Sequence, residues 1–169
     1  ILEHLAIDGS LSDWLSPLGT VFLSPDTAQS VGPVGAPWDG LADLNAQIRS
    51  RWDNQYLYFG IHVDDDVIQA DSSSAIWHDD GIEIGLDGAG DGIPRGRDDQ
   101  HYILCVDGRL QKKTEFFVNA LSAVRRVAGG YDMELAIPLD SLTTPPVAHG
   151  MRMGLNLGLH DDDDGGDYD

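Results

Sequence analysis

The 169-residue sequence has one cysteine, two lysines and four glutamates, and each scarcity removes a class of protein. A single thiol, Cys105, cannot form a disulfide within the chain. Its place in the apolar run Tyr102 to Val106 marks it as a small buried core group. No stretch approaches the roughly 20 apolar residues of a membrane-spanning helix. Cations are so few that 29 acids stand against ten bases, for a formal charge of −19. Such a field repels phosphate backbones and excludes nucleic acid as the expected partner. The six histidines include no pair at helical metal spacing, and both a serine-nucleophile motif and a glycine-rich phosphate loop are missing. The chain opens at Ile1, with neither an initiator Met nor a basic-then-apolar leader, so it reads as a processed protein or an excised module.

What is present is aspartate. All acids other than Glu3, Glu83, Glu115 and Glu134 are Asp, the short, turn-compatible carboxylate of calcium loops. Salt-adapted surface chemistry is the competing explanation. In the calcium reading, the ion takes the place of disulfides as a staple. One candidate loop begins Asp87-Gly88-Ala89-Gly90-Asp91-Gly92, with acids at positions one and five, Gly at six and Asp98 at twelve. Ala89 spoils position three. The denser candidate is Asp161-Asp162-Asp163-Asp164, whose charges repel one another unless a cation neutralises them. Asp64-Asp65-Asp66 is expected near the same rim.

The length suits one domain, residues 1–169. Strand patterns dominate it and no periodic helix is found. Leu44 to Trp52 alternates, a polar turn at Asp53-Asn54-Gln55 follows, and Tyr56 to Val63 returns, which is a hairpin signal. Further strands are expected at Tyr102 to Val106, about Thr114 to Val118, Ala120 to Val127, Tyr131 to Ile137 and Met153 to Leu159. Trp14 anchors a short capped segment behind Ile7-Asp8-Gly9. Ser24 to Gly40 and the stretch around Pro145-Pro146 read as loops. About nine short strands with turns between them predict an all-β, antiparallel sandwich.

The chain is organised around Ala75 to Asp87, AIWHDDGIEIGLD. Ile82, Ile84 and Leu86 alternate with Gly or Glu, the period of a half-buried strand, so Glu83 faces away from the core. An indole at Trp77 beside carboxylates on a stiff sheet suits a sugar: the ring stacks on C–H faces and the acids accept from hydroxyls. His78 and Asp80 are neighbours in this reading, and His101 is a further candidate. Glu134 reads equally as a structural acid or a site member. Asp79, Asp80 and Glu83 could in principle supply an acid and nucleophile for glycoside hydrolysis, but carboxylates so close in sequence more often shape a turn or bind a cation.

In order, IDGSLSDW, WDNQYLYFGIHVDD, IWHDDGIEIGLD, DDQHYIL, GGYDMELAIPLDSL and GLNLGLHDDDDGGDYD resemble the family 9 carbohydrate-binding modules and their relatives with a DOMON-like, jelly-roll-type sandwich. The resemblance covers almost the whole chain. It implies a non-catalytic, calcium-stabilised module, usually appended to secreted polysaccharide-degrading enzymes, that grips sugar chain ends between aromatic rings. Trp77 falls at one of the family's two stacking aromatics and Glu83 at a sugar-binding acid. Ile103 stands where the family has an Arg and Gly158 where it has a Gln, with His101 and His160 as partial substitutes. The second aromatic and the last strand would lie beyond Asp169. An open sheet edge of that kind admits an alternative, strand addition into a calcium-dependent fibre or surface layer. DOMON-like haem domains are a lesser alternative, with Met133, Met151 and Met153 as the axial candidates.

Overall fold

The computed structural model describes residues 4–15, 19–24, 26–27, 40–93, 96–112, 120–142, 149–163 and 165. Among the described residues nine strands form two antiparallel sheets facing each other: β1 Gly19–Leu23, β2 Leu44–Trp52, β3 Tyr56–Asp65, β4 Gly81–Asp87, β5 Asp99–Cys105, β6 Leu110–Lys112, β7 Leu121–Val127, β8 Gly130–Pro138 and β9 Gly154–His160. One sheet has the order β1-β2-β3-β8-β7 and the other β6-β5-β4-β9. The all-β antiparallel sandwich expected from the alternation is therefore what the chain forms. Short 3-10 turns at Leu11–Asp13, Ile76–His78 and Leu139–Ser141 are the helical pieces among the described residues.

The core lies between the sheets. Leu44, Ala46 and Ile48 of β2, Ile61 and Val63 of β3, and Met133, Leu135 and Ile137 of β8 meet Ile82, Ile84 and Leu86 of β4 with Tyr102 and Leu104 of β5. The β2–β3 hairpin pairs Leu44 with Asp65 through Trp52 with Leu57, and Asp53 closes it by accepting from the N–H groups of Gln55 and Tyr56. Asp53 also accepts from the Tyr58 hydroxyl and His4 Nδ1. Burial raises its pKa, but these hydrogen bonds prevail and hold it at about 2.

A second cluster sits on the outer face of the five-stranded sheet, where Trp14 and Leu5 pack on Tyr58 and Ala136. The Trp14 ring lies on Gly60, where any Cβ would collide with it. Glu134, fully buried beneath, accepts from Trp14 Nε1–H at 2.9 Å and from the N–H groups of Asp8 and Gly9 at 2.8 and 2.7 Å. Of the two roles open to Glu134, the structural one is realised: it fastens the chain's opening segment to the sandwich.

Strands β1 and β6 were not expected, and β3, β5, β8 and β9 run one to three residues beyond their expected bounds at one end or the other. The strand expected at Thr114 to Val118, most of the Ser24 to Gly40 loop and Pro145-Pro146 lie outside the described residues.

Candidate functional site

The outer face of the four-stranded sheet carries the chemistry. Across β5, β4 and β9 its rows read Cys105–Gly81–His160, Ile103–Glu83–Gly158, His101–Gly85–Asn156 and Asp99–Asp87–Gly154. Glu83 is thereby flanked diagonally by His160 on β9 and His101 on β5. Its Oε1 lies 2.6 Å from His101 Nε2 and its Oε2 3.1 Å from His160 Nε2. An ionised carboxylate only accepts, so each Nε2 carries the hydrogen and each ring's Nδ1 is left for other contacts. The three side chains remain partly open to solvent, at 30% for Glu83, 34% for His101 and 17% for His160. Glu83 and His101, expected together, are together. His160 joins them because β9 runs antiparallel beside β4.

Trp77 sits in the 3-10 turn that leads into β4 and packs against β5. The indole is half-buried, resting on the core cluster, and its ring centroid is 5.5 Å from that of His78. Arg109 positions this turn. Its Nη1 donates to the Ser72 carbonyl at 2.8 Å, its Nη2 to Asp79 and its Nε to Asp107. Residues on both sides of Trp77 are thus held by one guanidinium, whose planar fork suits several acceptors at once. Nothing local in the sequence announces this role, because Ser72 and Arg109 are 37 residues apart.

Asp80 differs from its expected place beside the sugar-facing groups. It is fully buried and accepts from the N–H groups of Gln69 and Asp162, so it faces the acid cluster rather than the open sheet. Cys105 is fully buried, as expected, next to Asp79 and Arg109. Met133 fills the core, and Met151 and Met153 precede β9.

The acids converge from distant parts of the chain. Ligand oxygens of Asp65, Asp80 and Asp161 lie within 4.8 Å of one another, as do those of Asp43, Asp161 and Asp163. The expected Asp64-Asp65-Asp66 contribution reduces to Asp65. Its Oδ2 is buried and has no hydrogen-bond partner. Burial pushes the carboxyls of Asp65 and Asp80 up to about 7 and about 8, and neighbouring acids add to it. Asp162 belongs to a separate group with Asp71 and Asp79, and Asp164 lies outside the described residues.

In the glycine-rich loop the acids that meet are Asp87, Asp98 and Asp99. Asp91, expected at position five, is absent from that group and accepts from Ile93 N–H. Asp99 takes its place because β5 begins there, paired with Asp87. Hydrogen bonds from Gly92, Gly90 and Asp91 N–H hold the Asp87 carboxyl below the usual carboxylate range, against a smaller effect of burial.

Beside Glu83 and His101 an open groove of about 500 Å³ continues over Gly85 towards Asp87, Asp99, Ile93 and Leu155.

A family model described as carbohydrate family 9 binding domain-like matches residues 24–169. Exoglucanase XynX of Acetivibrio thermocellus is 28% identical over 132 residues, which are 78% of this chain and 11% of that protein. The chain thus spans about a tenth of that curated relative. Two solved structures share the fold: family 9 carbohydrate-binding modules from Caldicellulosiruptor kristjanssonii, one in complex with cellotriose and one with glucose. The first superposes with a TM-score of 0.74 at 21% identity, covering 95% of this chain and 74% of that one. The second gives 0.73 at 20% identity, covering 95% and 76%.

Proposed function

Because the chain belongs to the carbohydrate family 9 binding domain-like family, we propose that it binds a glycan without cleaving it, on the outer face of the four-stranded sheet. The observation that carries this reading is Glu83, bridged between His101 and His160 on a solvent-open face, with the partly buried Trp77 indole in the turn that leads into the same strand. An ionised carboxylate has about four acceptor sites. The two imidazoles orient Glu83 and leave the remaining sites for sugar hydroxyls, while Trp77 offers an apolar ring for C–H faces. Ile103 opposite Glu83 is buried and supplies no polar group, so hydroxyl reading falls to the two histidines.

Calcium is the proposed structural ion. The two donor groups, Asp65 with Asp80 and Asp161 and Asp43 with Asp161 and Asp163, are oxygen-only, which suits a hard cation rather than zinc or copper. The orphaned Asp65 Oδ2 and the crowded buried charge fit such an ion. It would neutralise acids that otherwise repel one another. Asp87, Asp98 and Asp99 form a more exposed second candidate. A secreted setting, beside or within a chain that degrades polysaccharides, is proposed from the resemblance to XynX.

The test is a glycan array probed with wild type and Trp77→Ala. Wild type is expected to give a specific signal. Trp77→Ala should weaken it about tenfold or more, consistent with an aromatic contact worth roughly 0.5–1.5 kcal/mol beyond its buried area. An unchanged signal in the variant removes Trp77 from the site, and a blank array for wild type refutes glycan binding.

A further inference from the structure

Tyr131 lies on the inward face of β8 with its side chain fully buried, yet its hydroxyl has no hydrogen-bond partner among the described residues. Two other phenols show that the fold does not leave tyrosines this way. Tyr58 and Tyr102, almost as deeply buried, donate to Asp53 and to Gln100 Oε1. A hydroxyl shut away from water without a partner costs free energy that a Phe of the same shape would avoid. The position therefore calls for a partner that the protein does not itself supply.

The surroundings identify that partner. Tyr131 pairs with Val63 of β3, and Asp65, two residues on, shares the inward face of that strand as the diagonal neighbour of Tyr131. Asp65 Oδ2 is likewise buried and orphaned, while its Oδ1 accepts from Val67 N–H. Burial first, then the charges of Asp80, Asp65 and Asp161, raise the Tyr131 pKa well above 10, so the phenol stays neutral and keeps its hydrogen. The two orphans do not satisfy each other. A hydrated cation satisfies both, because the ion attracts the carboxylate oxygen and its water pairs with the phenol. Three carboxylates fall short of the six to eight oxygens around a calcium ion, and both Asp80 oxygens already accept N–H groups, from Gln69 and Asp162. Water completes such a sphere, and a buried water needs about two to four polar partners of its own.

We infer that the Tyr131 hydroxyl anchors a water bound to the ion at Asp65, Asp80 and Asp161, and so tunes the affinity of that centre from behind its carboxylates. The inference rests on the calcium reading above and adds to it a neutral positioning residue. Asp65 Oδ2 takes the ion and Tyr131 takes its water, which accounts for both orphans at once.

Tyr131→Phe removes one oxygen and keeps the ring. Calcium titration calorimetry, with melts in EDTA and in excess calcium, tests it against wild type. The variant should bind calcium about tenfold or more weakly, as expected on removing a partner behind a metal's ligands. In EDTA it should melt no lower than wild type, because the orphan is gone. Its gain in melting temperature on adding calcium should be about 3–5 °C smaller. Any calcium event at Asp87, Asp98 and Asp99, at the opposite end of β4 from Asp80, should be unmoved. A hydroxyl that merely supports the core would lower both melts equally and leave the affinity alone. That result overturns the inference, and so does an unchanged affinity whatever the melts show. Calcium that changes neither the heat nor the melt of wild type defeats the calcium reading itself and this one with it.

Discussion

Chelation of divalent cations with EDTA is expected to lower the melting temperature by about 5–16 °C, and excess calcium to restore it. The size follows from linkage: a ligand at 100 to 1,000 times its dissociation constant stabilises by about 2.7–4.1 kcal/mol, and each kcal/mol moves a domain of this length by roughly 2–4 °C. The direction with pH is equally specific. In the metal-free protein the folded-state pKa values of Asp65 and Asp80, about 7 and about 8, stand above the usual value near 3.9 of an unfolded Asp. Between those limits the folded state holds more protons than the unfolded one, so stability falls as pH rises from about 4 to about 8. Calcium requires the ionised carboxylates, so its stabilisation grows over the same interval. Melts at pH 5 and pH 8, with EDTA and with calcium, check both signs. A melting temperature indifferent to calcium at pH 8 would remove the ion from the structure's support.

Glu134→Ala is expected to destabilise the fold by about 3–5 kcal/mol, because it strands three buried or part-buried donors, each costing roughly 1–3 kcal/mol without full additivity. Trp14 loses its acceptor, and the opening segment over Tyr58 and Ala136 loosens with it. Denaturant melts measure the loss, and a red shift of tryptophan emission reports exposure of the indole. Glu134→Gln keeps one acceptor oxygen, so its loss should be distinctly smaller. Equal losses in the two variants would mean that the retained volume and the one remaining acceptor oxygen contribute little, against the expectation.

The parts of this fold that were legible are those in which local pattern and burial coincide. Ile82, Ile84 and Leu86 alternate with Glu83 because β4 buries one face alone, and the same period placed the β2–β3 hairpin. Strands β1 and β6 escaped because short edge strands need little apolar alternation: β1 is almost wholly exposed and β6 spans three residues. Site residues divide in the same way. Glu83 could be read from its own strand, whereas the partnership with His160 depends on β9 docking 77 positions away. Asp43 and Asp65 reach Asp161 because the β2–β3 register sets Leu44 opposite Asp65, which composition alone cannot express. Asp80 has the opposite history. Its sequence neighbours suggested an open face, but the turn before β4 directs it inward to two backbone N–H groups. Arg109 carried no signal, since a single cation in a turn looks the same whether it is solvated or bracing a loop.

Amide NMR titration with cellotriose bears most directly on whether one face of the four-stranded sheet holds the sugar. The expected result is a contiguous set of shifted resonances at Trp77, Glu83, Gly85, His101, Asn156 and His160, with the outer face of the five-stranded sheet around Gln47, His62 and Arg125 unmoved. Shifts confined to that opposite face, or none at saturating sugar, would contradict it.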